Sequence, residues 1–138
     1  MAAKDKYHEL VKEALVKEGW NITHDPFRFK TGEIEFKIDL GAEEIIGAVK
    51  DGAKIAVEIK SFLSPSAMTD FYEALGQFNS YLVGLEAYDP ERELYLAVPK
   101  RIFETFFQKP GIQMITSRNS LKIIVYNIST KSIEQWIK

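Results

Sequence analysis

The stretch Lys54-Ile-Ala-Val-Glu-Ile-Lys60 decides the fold, because its pattern predicts a strand and places two charged groups on it. From Ile55 onward every second residue is a branched hydrophobic one, and the side chains of a strand point alternately to its two faces. One face of this strand is therefore packed, while Glu58 and Lys60 project together from the other. Their two-residue spacing sets them about 6.6–6.8 Å apart along the backbone.

The segments on either side of this strand predict an α/β domain with a mixed sheet flanked by helices. Hydrophobic residues recur at helical spacing over 4–18 and 67–86, and Pro99 introduces a short helix over 100–107. Asp51-Gly52 predicts a tight hairpin turn into the Glu58 strand. Alternating or continuous apolar runs predict strands over 20–24, 33–39, 45–49, 54–60, 93–98, 112–116, 121–126 and 132–137.

Length and composition describe one globular domain over residues 1–138. The chain is 46% hydrophobic and 28% charged, and its net charge of −2 excludes a uniformly basic nucleic-acid coat. The absence of cysteine excludes a disulfide framework and a thiolate nucleophile, and two histidines are too few for a three-histidine zinc site. No apolar run reaches the length of a signal peptide or a membrane span, so we expect a cytoplasmic protein with no membrane partner.

The charges are unevenly distributed along the chain. Residues 61–91 hold five acidic side chains and no lysine or arginine, whereas residues 94–138 hold seven basic and two acidic ones. The C-terminal part could therefore face a polyanion, with Lys100 and Arg101 as candidate DNA-binding residues. The alternative is that these basic side chains are scattered over the surface and only keep the protein soluble.

Asp39, Glu58 and Lys60 are the residues whose types and spacing point to chemistry. Mg²⁺ prefers one or two carboxylates together with water and phosphate oxygens, so Asp39 and Glu58 predict a site for Mg²⁺ or Mn²⁺. Lys60 would polarise the attacking water or hold the phosphate. The alternative is that Glu58 and Lys60 form nothing more than a solvated, charged strand face.

The hairpin leaves the identity of the first acidic ligand open. If the Asp51-Gly52 turn is symmetric, Glu43 faces Lys60 and Asp39 falls several residues beyond Glu58, unless Gly41 or Gly47 marks a bulge. Glu43 is therefore an alternative or additional metal ligand.

The long helix adds Gln77 and Tyr81 to the candidates. At about 100° per residue they lie on one side of this helix, next to its apolar stripe. A helix beside the Glu58 strand would present them to a bound DNA strand or to a metal-bound water. The alternative is that Gln77 is a rim residue and Tyr81 a half-buried aromatic one.

This element order and residue set resemble the PD-(D/E)XK, restriction-endonuclease-like superfamily, with Ile38 in the position of the motif's proline. The resemblance implies a restriction-endonuclease-like core and a Mg²⁺-dependent endodeoxyribonuclease site at Asp39, Glu58 and Lys60. The Gln77-x-x-x-Tyr81 pair is similar to a motif of RecB-like nucleases. His8 has a placement similar to that of a metal ligand in archaeal Holliday-junction resolvases, although a lone helix histidine is more often structural.

Several longer blocks of sequence resemble the XisH family of fdxN element excision controlling factors, which occur mainly in cyanobacteria. The resemblance covers essentially the whole chain, and it implies a role in site-specific excision of a DNA element during heterocyst differentiation. The partners it implies are DNA, a site-specific recombinase and a second, XisI-like controlling factor. The blocks are Ala3-Lys-Asp-Lys-Tyr-His8, Gly19-Trp-Asn-Ile-Thr-His-Asp-Pro26, Ile38-Asp-Leu-Gly-Ala-Glu43, Ile55-Ala-Val-Glu-Ile-Lys-Ser-Phe62 and Ala74-Leu-Gly-Gln-Phe78.

Two hypotheses of function follow. The first is a DNA-processing protein whose PD-(D/E)XK-type site hydrolyses phosphodiesters with Mg²⁺. The second is a catalytically inactive module that regulates recombination through DNA or a protein partner, with a homo-oligomer as a further possibility. A small-molecule enzyme finds no support, because the sequence has no glycine-rich phosphate loop and no serine in a nucleophile elbow.

Overall fold

The computed structural model describes residues 6–43 and 52–138, and its centre is a six-stranded mixed sheet. The strand order is β1-β4-β5-β6-β7-β8, in which β5, β6 and β7 are parallel and the other neighbours are antiparallel. Two more strands, β2 and β3, pair separately as an antiparallel ribbon. The strands are β1 (Asn21–His24), β2 (Phe27–Thr31), β3 (Ile34–Ile38), β4 (Leu40–Glu43), β5 (Lys54–Ile59), β6 (Glu93–Pro99), β7 (Ile123–Asn127) and β8 (Ser132–Ile137).

Helices cover both faces of the sheet, which confirms the predicted α/β architecture. One face packs against α1 (His8–Lys17) through Val11 and Leu15, and the other packs against α2 (Ala67–Tyr88) through Phe71, Ala74 and Phe78. The chain between β6 and β7 forms α3 (Lys100–Glu104), a 3₁₀ turn (Phe106–Gln108) and α4 (Pro110–Arg118) on the α2 side. In the part of the chain that the structure describes, no helix is long and apolar enough to cross a membrane.

The alternation of β5 explains how one strand serves both a core and a site. Its odd residues, from Ile55 to Ile59, belong to the core under α1, together with Leu40 and Ala42 of β4. Its even residues face α2, where Ala56 is part of the core and Glu58 and Lys60 follow. The predicted packed face and charged face of this strand are thus both present.

The secondary structure differs from the predicted one in three places, one of which is β4, since the predicted strand over 33–39 covers only β3. The segment 112–116 is not a strand but the middle of α4, which Pro110 introduces in its first turn. The buried and half-buried residues of this segment, Ile112, Ile115 and Thr116, follow helical spacing. Met114 is exposed, although a strand would place it on the same face as Ile112. Strand β2 was not predicted, since Phe27-Arg-Phe-Lys-Thr31 is short and follows directly on Pro26.

The predicted symmetric hairpin is also wrong in register. Glu43 pairs with Lys54 and Leu40 with Val57, so ten residues separate the paired ends of β4 and β5. The predicted strand over 45–49, Gly47 and the Asp51 of the predicted turn lie outside the described residues. In this register Asp39 lies at the level of Glu58, and Glu43 lies opposite Lys54 rather than opposite Lys60.

Candidate functional site

Asp39 and Glu58 come together where the β2–β3 ribbon joins the main sheet. Asp39 is the single residue between β3 and β4, and the pairing of Leu40 with Val57 places it beside the Glu58 end of β5. Its Oδ2 accepts a hydrogen bond of 2.8 Å from the backbone N–H of Ile59. Glu58 itself is only 7% exposed, and it is one of the few buried acidic residues among those described. The fold therefore places the half-buried Asp39 beside the buried Glu58 carboxyl group.

The environment of Glu58 favours its neutral form. Burial raises the pKa of Glu58 to about 10, and hydrogen bonding to Asp39 and the charge of Asp39 add to this rise. The Tyr81 hydroxyl and the Lys60 ammonium act in the opposite direction but do not outweigh it. The Glu58 Oε2 atom is buried and has no hydrogen-bond partner of ordinary geometry. Two acidic groups and an unpartnered oxygen are what a divalent cation would satisfy, so the residues present fit Mg²⁺ or Mn²⁺.

Lys60 lies two residues after Glu58, and its ion-pair partner was not predicted from the sequence. Its Nζ atom donates to Oε2 of Glu73 on α2 over 2.8 Å. Glu73 is exposed, so this ion pair is open to solvent and to competing ligands. The spacing Glu73, Gln77, Tyr81 was a signal that could have found it, because residues four apart lie on one helix face.

Helix α2 brings Tyr81 to the site and leaves Gln77 at its edge. Tyr81 is half-buried, and burial together with the charge of Glu58 raises its pKa, so its hydroxyl remains a donor. Gln77 is exposed and makes no hydrogen bond with the described residues. Since Tyr81 interacts with Glu58 and Glu73 pairs with Lys60, Gln77 lies between these two contacts on the same face of the helix.

Glu43 is not brought to this carboxylate pair. It lies at the far end of β4 beside Arg92, whose Nη2 is 3.3 Å from its Oε1. The buried Arg92 guanidinium also donates to the Ile55 carbonyl oxygen over 2.9 Å and to Asp89 over 3.1 Å. Glu43 thus belongs to a compensated ion-pair network at the opposite end of the hairpin.

His8 is held by a different carboxylate. It lies on α1, which covers the other face of the sheet, and its Nε2 is 2.7 Å from Oδ1 of Asp25. Oδ2 of Asp25 accepts from the Lys12 ammonium over 2.8 Å. His8, Glu9 and Asp25 have donor atoms within 4.8 Å of one another, but the Lys12 ammonium already takes the cationic place beside Asp25. Burial works to raise the pKa of Asp25, and Lys12 and His8 together lower it below its usual value.

Lys100 and Arg101 are occupied by contacts within the protein. Arg101 Nη2 donates to the carbonyl oxygens of Ser61 and Phe62, over 3.0 and 2.9 Å, and so holds the chain just after Lys60. Phe62 has a φ of 54°, a left-handed conformation that a phenylalanine adopts only when its surroundings fix it. Lys100 lies 3.7 Å from Glu134. Arg101 therefore supports the loop that follows the Glu58 strand.

The fold and the carboxylate pair define the class of protein: an α/β domain with a mixed sheet and an acidic site where β4 begins and β5 ends, with Glu58 buried there. A family model described as XisH protein matches residues 1–134, and the chain therefore belongs to the XisH family. No curated protein matches the sequence.

Two crystal structures are similar over nearly the whole chain. One is an XisH family protein from Nostoc punctiforme PCC 73102, with 42% identity, 97% of this chain and 100% of that chain covered, and a TM-score of 0.89. The other is a fdxN element excision controlling factor protein from Anabaena variabilis, with 43% identity, 98% and 100% covered, and a TM-score of 0.87. Membership of this family supports a role in excision control.

Proposed function

We propose that this protein controls excision of a DNA element in the cytoplasm through a PD-(D/E)XK-type, restriction-endonuclease-like site that hydrolyses phosphodiester bonds with Mg²⁺ or Mn²⁺. The observation that carries the proposal is the Asp39–Glu58 pair, whose buried Glu58 has an unpartnered oxygen and a strongly raised pKa. A DNA substrate, a site-specific recombinase and an XisI-like second controlling factor are the partners that fit this role.

The residues of the site have distinct tasks in this proposal. Asp39 and Glu58 would hold the cation, and Asp39 is oriented for this by the hydrogen bond that its Oδ2 accepts from Ile59. The bound cation would lower the pKa of a water molecule and offset negative charge on the phosphate. Tyr81 interacts with Glu58 and would help to fix the position of that carboxyl group. Gln77 has free donors and an acceptor that could orient the attacking water.

Lys60 would hold the scissile phosphate, and this requires it to leave Glu73. Such an exchange is inexpensive, because exposed ion pairs contribute only about 0–1 kcal/mol. Glu73 is therefore a positioning residue, which keeps the Lys60 ammonium at the site until a phosphate replaces the carboxylate.

The Lys60–Glu73 ion pair also favours a second candidate function. If Lys60 never exchanges its partner, the same site is a stable ionic cluster, and the protein regulates recombination as a catalytically inactive module. DNA, the XisI-like factor or a second copy of this chain would then bind to the fold without chemistry.

A cleavage assay separates the two functions. Single-stranded, duplex and branched DNA are incubated with the protein in Mg²⁺, Mn²⁺ or EDTA, with and without the purified XisI-like factor and recombinase. We expect cation-dependent cutting that Lys60→Met abolishes while cation affinity stays near that of the wild type, the mark of an interaction made in the transition state.

Glu73→Gln is the matched control, since it breaks the same ion pair and leaves Lys60 in place. It should retain cutting, with a change in substrate affinity at most. No cutting by the wild type under any of these conditions would leave the regulatory module as the function.

A further inference from the structure

The β2–β3 ribbon has an aromatic inner face that fixes it against α2. Phe29 stacks on Phe36 with ring centroids 4.9 Å apart, and Phe29 also stacks on Tyr88 of α2 at 4.9 Å. Gly84 of α2 lies directly beneath, where a Cβ atom would come within 2.8 Å of the Phe36 ring. Thr31 donates to the Gly84 carbonyl oxygen over 3.3 Å. The inner face of the ribbon is therefore packed against α2.

The outer face of the ribbon carries an excess of positive charge. In the ribbon register Arg28 lies opposite Lys37, and Lys30 lies opposite Glu35. All four residues are exposed, and three of the four are basic. Like charges directly opposite each other on a strand pair cost stability. The Arg28–Lys37 pair therefore does not stabilise the ribbon.

These charges are only partly used within the protein. Arg28 lies 3.6 Å from Glu35, whereas Lys30 and Lys37 form no ion pair or hydrogen bond with any described residue. Two basic residues of the C-terminal part differ, because Lys100 is paired with Glu134 and Lys122 with Glu93. The ribbon is therefore a surface where positive charge is still available to an outside ligand.

The ribbon also borders the carboxylate site. Lys37 precedes Asp39 by two residues, and the Phe36 ring meets Tyr81 edge-on, with centroids 6.4 Å apart. Tyr81 in turn interacts with Glu58. On the outer face, Lys37 is the basic residue nearest in the chain to Asp39, so the Lys37 end of this face adjoins the strand end that carries Asp39.

We propose that the outer face of the β2–β3 ribbon, formed by Arg28, Lys30 and Lys37, binds the phosphates of duplex DNA, with its Lys37 end toward Asp39. The choice of DNA rests on the proposed function, and charge complementarity supports it. Lysine and arginine contacts to phosphates supply most of the sequence-independent affinity for DNA, through release of counterions. A two-stranded ribbon is also an element that the major groove admits.

The salt dependence of DNA binding tests this surface. The full-length protein in EDTA is titrated against a labelled 25-base-pair duplex of mixed sequence, a length of about two and a half turns chosen to span the ribbon, at several salt concentrations. We expect Lys30→Ala with Lys37→Ala to weaken binding and to reduce the slope of log K against log salt by about 1.8, or about 0.9 per lost phosphate contact.

The control double variant Lys6→Ala with Lys17→Ala removes the same charge from the α1 side of the sheet, and it should keep the wild-type slope. Without DNA, the ribbon variant should have an unchanged or slightly raised thermal midpoint, since loss of Lys37 relieves its repulsion with Arg28. A structural role for these lysines would instead lower the midpoint.

Three results would overturn the proposal: no duplex binding by the wild type, an unchanged slope in the ribbon variant, or an equal loss in both double variants. A loss confined to Lys109→Ala with Arg118→Ala would assign DNA binding to α4 instead. Because binding is measured in EDTA, the ribbon result is independent of cutting. DNA binding that depends on the ribbon, in a protein that never cuts, would reject only the nuclease reaction.

Discussion

Asp25 and Glu58 are carboxyl groups on opposite faces of the same sheet, and their surroundings act on them in opposite ways. The Lys12 ammonium and a ring nitrogen of His8 both lie within 2.8 Å of the Asp25 carboxylate oxygens, and the pKa of Asp25 is lowered. Glu58 has a second carboxyl group as a neighbour and an unpartnered oxygen, and its pKa is raised to about 10. The difference teaches that the fold supplies cationic partners to Asp25, whereas it leaves an oxygen of Glu58 without a partner among the described residues.

Neutralising Asp25 should cause the largest loss of stability. Asp25→Asn keeps the size of the side chain but removes the charge that binds His8 and Lys12, and hydrogen bonds to charged groups contribute about 1.5–3 kcal/mol. We expect the free energy of unfolding to fall by about 2–3 kcal/mol in urea melts at pH 7. A loss below about 0.5 kcal/mol would mean that the Asp25 cluster does not hold α1 to the sheet.

Neutralising Glu58 should have an effect of opposite sign on stability. In the metal-free protein the pKa of Glu58 lies above its ordinary value of 4.5, so the unfolded chain releases this proton at a lower pH than the folded protein does. The free energy of unfolding in EDTA should therefore fall as pH rises from about 5 towards 10, by at most about 1.4 kcal/mol per pH unit.

Glu58→Gln removes this titration, and at pH 8 we expect it to raise the free energy of unfolding, by at most about 4 kcal/mol, and to flatten the pH profile. Urea melts in EDTA at pH 6, 7, 8 and 9 measure both effects. A variant that is less stable than the wild type at every pH would show that the Glu58 charge is already compensated inside the protein.

The strand at the centre of this comparison could be predicted from the sequence, because the two-residue period of 54–60 specifies which side chains share a face. Asp39 could be proposed as the carboxylate that precedes the hairpin, and Tyr81 from its face of the long helix and from the motif it resembles. The contact of Asp39 with Glu58 could not be established in this way, because it depends on the register of β4 against β5. A symmetric turn at Asp51-Gly52 would have placed Glu43 opposite Lys60 instead.

Other parts of the site depend on partners that only the fold brings together. His8 is 17 residues from Asp25, and Lys60 is 13 residues from Glu73, so neither pair gives a local signal. The segment 112–116 has branched residues that suit a strand, and the preceding Pro110 starts a helix that overrides this preference. These differences arise where tertiary contacts, rather than local pattern, decide the structure.

Titration of Mn²⁺ into the metal-free protein tests the central claim, that Asp39 and Glu58 form a site for a cation from outside. Asp39→Asn is the test variant, because its amide oxygen can still accept from the Ile59 N–H. Glu9→Gln is the matched control, because it neutralises an exposed carboxylate of the His8–Asp25 cluster. By isothermal titration calorimetry the account predicts one Mn²⁺ per chain, retained in Glu9→Gln and lost or weakened at least tenfold in Asp39→Asn. Unchanged affinity in Asp39→Asn, or loss of binding in Glu9→Gln, would contradict it.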